Sequence, residues 1–185
     1  MVIRIDQAQD HVDETATIRG WMYNKRGSGK IYFLQLRDGS GFMQGVLAAQ
    51  DGNEEVMAKA EKLVMESSVK VTGLITRHPK QEGVFEMQVK DIEIVQIPPD
   101  EYPISKKEHG PDFLLNNRHL WLRSSRQWAI QRVRDVAIQA IYDFFHKEGF
   151  IKIDTPIITA NACEGATTLF EIEYFDEGTA YLSQS

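Results

Sequence analysis

The sequence lacks several features, and each absence narrows its class. It holds one cysteine, Cys163, so no disulfide forms within the chain, which suits a reducing cytosol. No stretch approaches the ~18 consecutive apolar residues of a membrane-spanning helix. The opening MVIRIDQAQD puts acids and amides where a secretory signal needs an apolar core. The expected location is therefore cytoplasmic. Basic excess is missing too: 21 Lys and Arg stand against 27 Asp and Glu, a net charge of -6. That balance argues against indiscriminate nucleic-acid binding, which usually brings a strongly basic surface. What is present, 42% hydrophobic and 26% charged residues, is ordinary for a folded globular chain of 185 residues, long enough for one large domain or two small ones.

Charge is unevenly spread. Residues 15–48 carry Arg19, Lys25, Arg26, Lys30 and Arg37 against the single acid Asp38. Residues 50–66 reverse this, with Asp51, Glu54, Glu55, Glu61 and Glu66 against Lys59 and Lys62. One face of the first domain is thus a candidate positive surface, although two solvated faces of differing sign would read the same.

Periodicity sets out the elements. ETATIRGWMYN (14–24) alternates as a strand, and a basic loop, Lys25 to Lys30, follows it. IYFLQL (31–36) and FMQGVL (42–47) flank Asp38-Gly39-Ser40-Gly41, a strong hairpin signal. Residues 52–66 place Met57, Ala60 and Val64 at helical spacing, and VKVTGLIT (69–76) and VFEMQVKDIEIVQI (84–97) complete the set. Three strands, a helix and two strands is the order of an OB-fold β barrel. An SH3-like barrel or a small α+β sandwich has similar periodicity. Residues 98–112 hold four of the six prolines and no apolar period, which reads as a linker between domains 1–97 and 113–185.

Beyond the linker, Ser124 or Ser125 starts a helix running to about Glu148, and Gly149 suits its stop. Ile130, Val133, Ala137, Ile141 and Phe144 form one stripe, which Ala129, Val136 and Ala140 widen. A helix apolar over so wide an arc is expected to be buried on two sides, and a dimer interface is one way to achieve that. Phe150 to Ile153 then leads as a strand into Thr155-Pro156, and LFEIEYF (169–175) and AYLSQS (180–185) form a further β pair.

These residues resemble a known family. GFIKIDTPII (149–158) is similar to the first signature motif of class II aminoacyl-tRNA synthetases, a long helix and a strand ending at a proline, here Pro156. FLLNNRHLWLR (113–123), EGATTLFEIEYF (164–175) and AYLSQS resemble the subgroup that charges aspartate, asparagine and lysine. The resemblance covers nearly the whole chain and implies an anticodon-binding OB-fold, then the start of an α+β, antiparallel-sheet catalytic domain. RHLWLR, the Ala162-to-Gly165 run and the YLSQS ending look most like asparaginyl enzymes, with archaeal-type aspartyl enzymes the alternative.

By that resemblance, Phe33 stacks on the central uridine of the anticodon and Gln44 reads its edge. An amide presents a donor and an acceptor together, as uracil does. Glu86 is implied as a reader of the first anticodon base, and Arg19, Lys25, Arg26 and Lys30 as phosphate contacts. In the catalytic portion, Glu164 and Gln184 match positions that hold the ammonium group of the amino acid, with Ser183 assisting. Ile130, Val133, Ala137, Ile141 and Pro156 match the homodimer interface. Without the resemblance, a strand phenylalanine is ordinarily core and a glutamine beside a turn ordinarily solvated. Cys163 has no neighbouring histidine to activate it, and His119 has no partner at metal-ligand spacing, so no metal site is expected.

The residues that hold ATP and Mg2+ belong to two later motifs in that family, neither of which lies within these 185 residues. The chain alone is thus not expected to make adenylate. A fragment of a ligase and a truncated, noncatalytic tRNA-binding protein both satisfy this reading. A generic single-stranded-DNA barrel would need the basic balance that is missing.

Overall fold

The computed structural model describes residues 1–28, 30–50, 52–104, 107–160 and 169–183. Glu164 and Gln184, together with Cys163 and Gly165, lie outside the described residues. The chain forms two compact units, Met1–His109 and Gly110–Ser185.

Alternating side chains build the first unit. Strand β2 (Thr15–Ser28) pairs antiparallel with β3 (Ile31–Arg37), and β3 with β4 (Phe42–Ala48). Helix α1 (Glu54–Lys62) follows, then β5 (Ser68–Arg77) and β6 (Phe85–Gln96), which pair antiparallel. A parallel pairing of β4 with β6 and an antiparallel pairing of β2 with β5 close the ring. This is an OB-fold, and closure removes the exposed strand edges an open sheet would carry. Every second residue faces inward: Leu34 and Leu36 on β3, Leu47 on β4, Val71 and Ile75 on β5, and Met87 on β6 are at most 1% exposed. Each such side chain contributes roughly 1.5–3 kcal/mol of burial.

Two features depart from the alternation pattern. The segment Lys25–Lys30 is not a loop over its length, because β2 continues to Ser28 and pairs with β3 as far as Ile31. The N-terminus is ordered as well. Strand β1 (Val2–Ile3) lies parallel to β2, and a 3-10 helix, Ile5–His11, follows it. Ile3, Ile5 and Ala8 are buried there. Three apolar residues at irregular spacing carry no period, so this segment is organised by tertiary contact alone.

Asp38 makes that contact. Its Oδ1 accepts from the Ser40 amide at 2.7 Å, the Ser40 hydroxyl at 2.6 Å and the Gly41 amide at 3.0 Å. Its Oδ2 accepts from the Ile5 amide at 2.8 Å, tying the N-terminal segment to the β3–β4 turn. Partial burial pushes the Asp38 carboxyl up, but these hydrogen bonds together hold it below its ordinary value. A depressed carboxylate stabilises the fold above its unfolded-state pKa, and the contribution fades as pH falls through the folded value. Asp38→Asn turns a donor toward the Ile5 amide and is expected to cost about 1–2 kcal/mol at pH 7. The gap between the urea midpoints of wild type and variant should narrow steadily on acidification below the usual carboxylate range; a gap independent of pH would contradict this role.

In the second unit Pro111 stands where its missing N–H costs nothing, at the start of α2 (Pro111–Asn116). The expected linker therefore gives way to helix at its end. Helices α3 (Arg118–Trp121) and α4 (Ser125–Lys147) follow, and Gly149 leaves α4 with φ of +85°. A small antiparallel sheet has the order β7 (Ile158–Thr159), β9 (Thr179–Leu182), β8 (Glu171–Glu173). Phe150–Ile153 is not a strand, a correction to the periodic reading, and pairing begins only at Ile158. β8 is also shorter than the apolar run suggests. No residue of α4 is buried within this chain: Val133 is 69% exposed and Ile141 57%. The expected two-sided burial of this helix is thus not met by the chain's own residues. No described helix is long and apolar enough to cross a membrane.

Candidate nucleic-acid interface

The hairpin register decides what the barrel shows to its surroundings. Gln35 stands opposite Gln44, and Phe33 opposite Val46, so Phe33 and Gln44 are diagonal neighbours on the outer face. β2 adds Asn24 opposite Gln35 and Arg26 opposite Phe33, one step past a bulge between Met22 and Asn24. Phe33 is 41% exposed, in contrast to its buried neighbour Leu34. An aromatic ring left exposed beside amides and a guanidinium is an unusual use of a strand position, since the barrel's core needs none of it.

These side chains line one open cleft of about 290 Å³, which holds Arg26, Phe33, Gln35, Phe42, Gln44 and His78 among its walls. Tyr23 supports Phe42 edge-on, with ring centroids 4.9 Å apart. The β5–β6 loop forms the other wall, and His78 shapes it: Nδ1 accepts from the amides of Lys80 at 3.2 Å and Gln81 at 3.1 Å. That leaves the ring proton on Nε2. Glu86 is not among the residues that line the cleft; it stands in register with Gln44, one of its walls, and is 8% exposed. Its carboxylate accepts from Gln44 Nε2 at 3.5 Å and from Gln88 Nε2 at 3.0 Å.

The basic residues divide by place. Arg26 lines the cleft. Arg19 is exposed on β2 opposite Lys70 of β5, away from the β3–β4 hairpin. Lys30 lines a different cleft, against Asn53, Glu54 and Met57 around α1. Lys25 has another task altogether. Its ammonium donates to the carbonyls of Ala60 at 3.0 Å and Glu61 at 2.6 Å, at the C-terminal end of α1, where the helix dipole favours a cation. Burial pulls its pKa down, and Glu61 partly offsets this. In this structure the ammonium of Lys25 is thus engaged at the end of α1 and does not line the cleft.

The sequence reading passed over Phe42, His78 and Gln88. The signal for Phe42 was available, because it shares the parity of Gln44 across the Asp38-Gly turn. His78 and Gln88 had none, since their places depend on the parallel β4–β6 pairing, which no local pattern announces. In the second unit, the Ser183 amide donates to the Ile157 carbonyl at 3.0 Å, extending the β7–β9 pairing. Pro156 is exposed. Among the described residues no group of three or more His, Cys, Asp or Glu converges as a metal site.

A closed five-strand barrel with an exposed stacking ring and amide cleft, followed by a separate α+β unit, defines a nucleic-acid-binding module joined to a second domain. Residues 16–95 match the family model described as "OB-fold nucleic acid binding domain", for tRNA anticodon binding. Residues 110–185 match "tRNA synthetases class II (D, K and N)". The two halves of the chain thus match, in order, the anticodon-binding and class II synthetase domains of this group. It is similar to asparaginyl-tRNA synthetase from Pyrococcus horikoshii, solved with asparaginyl-adenylate, at 34% identity over 99% of this chain and 42% of that one, TM-score 0.86. Asparaginyl-tRNA synthetase from Entamoeba histolytica matches at 29% identity over 100% of this chain and 43% of that one, TM-score 0.75. A Leishmania major Friedlin protein assigned as an aspartyl-tRNA synthetase matches at 26% identity over 100% of this chain and 39% of that one, TM-score 0.82. The chain thus spans about two fifths of the length of these structures.

Proposed function

We propose that this chain is the tRNA-binding and self-associating part of an asparagine–tRNA ligase of the cytoplasm, with the barrel reading the anticodon. The observation that carries the reading is the exposed Phe33 beside Gln44 in one cleft, with Arg26 at its side. A base splayed from the loop stacks on the ring, the Gln44 amide bonds its edge, and Arg26 holds phosphate. Glu86, next to Gln44 across the β4–β6 pairing, is the proposed reader of the first anticodon base, with Lys25 as a further proposed phosphate contact. Arg19 and Lys30 lie further out, where they add long-range attraction for the RNA backbone. The acidic body keeps non-specific binding weak.

In the second unit, Glu164, Gln184 and Ser183 are the proposed grip on the ammonium group of asparagine. Two similar asparaginyl-tRNA synthetases are solved with asparaginyl-adenylate, which supports an asparagine substrate for the full-length enzyme. ATP and Mg2+ are the co-reactants of the full-length ligase. The proposed dimer uses Ile130, Val133, Ala137, Ile141 and Pro156.

Phe33→Ala and Gln44→Ala are each expected to weaken binding of an Asn-anticodon stem-loop by about tenfold or more, since one stacked base is worth roughly 1–3 kcal/mol. Circular dichroism should be unchanged, because neither side chain belongs to the core. Unaltered affinity in both variants would remove the anticodon assignment. Aspartate specificity is the competing reading, favoured by the Leishmania major likeness. Loops ending in U and in C at the third anticodon base separate the two: tighter binding of the C loop would favour aspartate.

A further inference from the structure

Gln44, Glu86 and Gln88 form one cluster on the outer face of the β4–β6 pairing, where Gln44 stands opposite Glu86 and Val46 opposite Gln88. A carboxylate only 8% exposed needs partners for its lone pairs. Gln88 Nε2 donates to Oε1 at 3.0 Å, and Gln44 Nε2 to Oε2 at 3.5 Å. The Thr76 hydroxyl, also nearby, donates at 3.5 Å to the Glu86 main-chain carbonyl and leaves the carboxylate to the two amides.

An ionised carboxylate accepts and never donates. Each neighbouring carboxamide must therefore turn its NH2 group toward Glu86. For Gln44, whose contact is the longer of the two, this biases which way round the amide meets a ligand. Uracil offers an N3–H donor beside a carbonyl acceptor, whereas cytosine offers an N3 acceptor beside an amino donor. A carboxamide free to flip suits either base. One held in place suits only one of them.

We infer that Gln88 is a positioning residue for base discrimination: by engaging one oxygen of Glu86 it keeps the other aimed at Gln44, which then accepts from uracil N3–H and turns cytosine away. The Gln44–Glu86 separation is at the outer limit of a hydrogen bond, so Gln44 alone does not hold the carboxylate; the shorter Gln88 contact does. The inference rests on the anticodon reading above, with Gln44 as the amide that meets the central base.

The test compares two RNA stem-loops that differ only in U or C at the middle of the anticodon, bound to the whole chain. Wild type is expected to prefer the U loop. Gln88→Leu keeps the bulk and removes the donor, and should cut that preference about tenfold, within the range for one misdirected polar group. Gln88→Lys keeps a donor beside the carboxylate and should retain the preference while raising affinity for both loops. A purely structural role for Gln88 would weaken both loops together and leave their ratio unmoved. Wild type without a preference removes the anticodon reading itself. A wild-type preference that persists in Gln88→Leu overturns this inference alone. Should circular dichroism show Gln88→Leu unfolded, the near-isosteric Glu86→Gln, which frees the Gln44 amide to flip, decides by the same ratio.

Discussion

Gly73→Ala is expected to destabilise the barrel by about 3 kcal/mol, the upper part of the usual range for overpacking a core. A Cβ on Gly73 would stand 2.3 Å from the Gln88 carbonyl oxygen, 2.6 Å from Met87 Cγ and 2.9 Å from the Gln88 carbonyl carbon. Two of these atoms are backbone, so no rotamer change relieves the clash. The penalty is one of space, because φ at Gly73 is not in the left-handed region. The β5–β6 register shifts between Thr72 and Gly73, and β6 is the strand that carries Glu86 and Gln88. Strain at Gly73 therefore reaches the Glu86–Gln88 cluster beside Gln44, and the variant should lose preference for the U loop along with stability. Gly39→Ala is the control: nothing lies within 4 Å of its Cβ, and its effect should stay within about 0.5 kcal/mol. Urea titration followed by far-ultraviolet circular dichroism measures both. Equal midpoints for Gly73→Ala and Gly39→Ala would refute the packing argument.

The barrel was largely legible in advance because its signals are local. Alternation marked the strands, and Asp38-Gly39 marked the hairpin and thereby the shared face of Phe33 and Gln44. What local patterns could not supply was register between distant strands. Glu86 and Gln44 are 42 positions apart, and their contact depends on the parallel β4–β6 pairing. The same limit explains Lys25. No local pattern announces that β2 brings its ammonium to the carbonyls at the end of α1. The N-terminal segment shows a third case. Ile3, Ile5 and Ala8 are buried without any period, held through Asp38 at a distance of 33 residues.

The second unit was read less well, for a physical reason. Strands such as β7 and β8 are only two and three residues long, too short for a period to register. The apolar runs around them are much longer, and most of that apolar surface stays exposed: Ile151 is 85% and Phe170 79% exposed. Apolar content in this half therefore answers to contacts that its own short sheet does not make. The long helix is the exception, because 23 residues between a serine start and a glycine stop mark α4 as a helix whatever covers it.

That helix carries the other large expected effect. Ile141→Asp should convert a self-associated chain to monomer, raising the dissociation constant by at least about a hundredfold, since an unpaired charge in a dry interface costs several kcal/mol. At 1.5 Å per residue α4 is roughly 35 Å long. Ile130, Val133, Ala137, Ile141 and Phe144 recur at helical spacing along it, all of them exposed within this chain. Such a stripe on one helix is long enough to meet its symmetry mate, because an isologous contact doubles whatever area one copy offers. The helix itself should survive the substitution, since Ile141 is 57% exposed within this chain and aspartate costs an exposed helix interior only about 0.7 kcal/mol. Sedimentation equilibrium separates the effect on association from any on folding, with circular dichroism recorded on the same samples. A monomeric wild type at tens of micromolar, or an Ile141→Asp variant that still sediments as a dimer, would mean that α4 is covered by something other than a second copy.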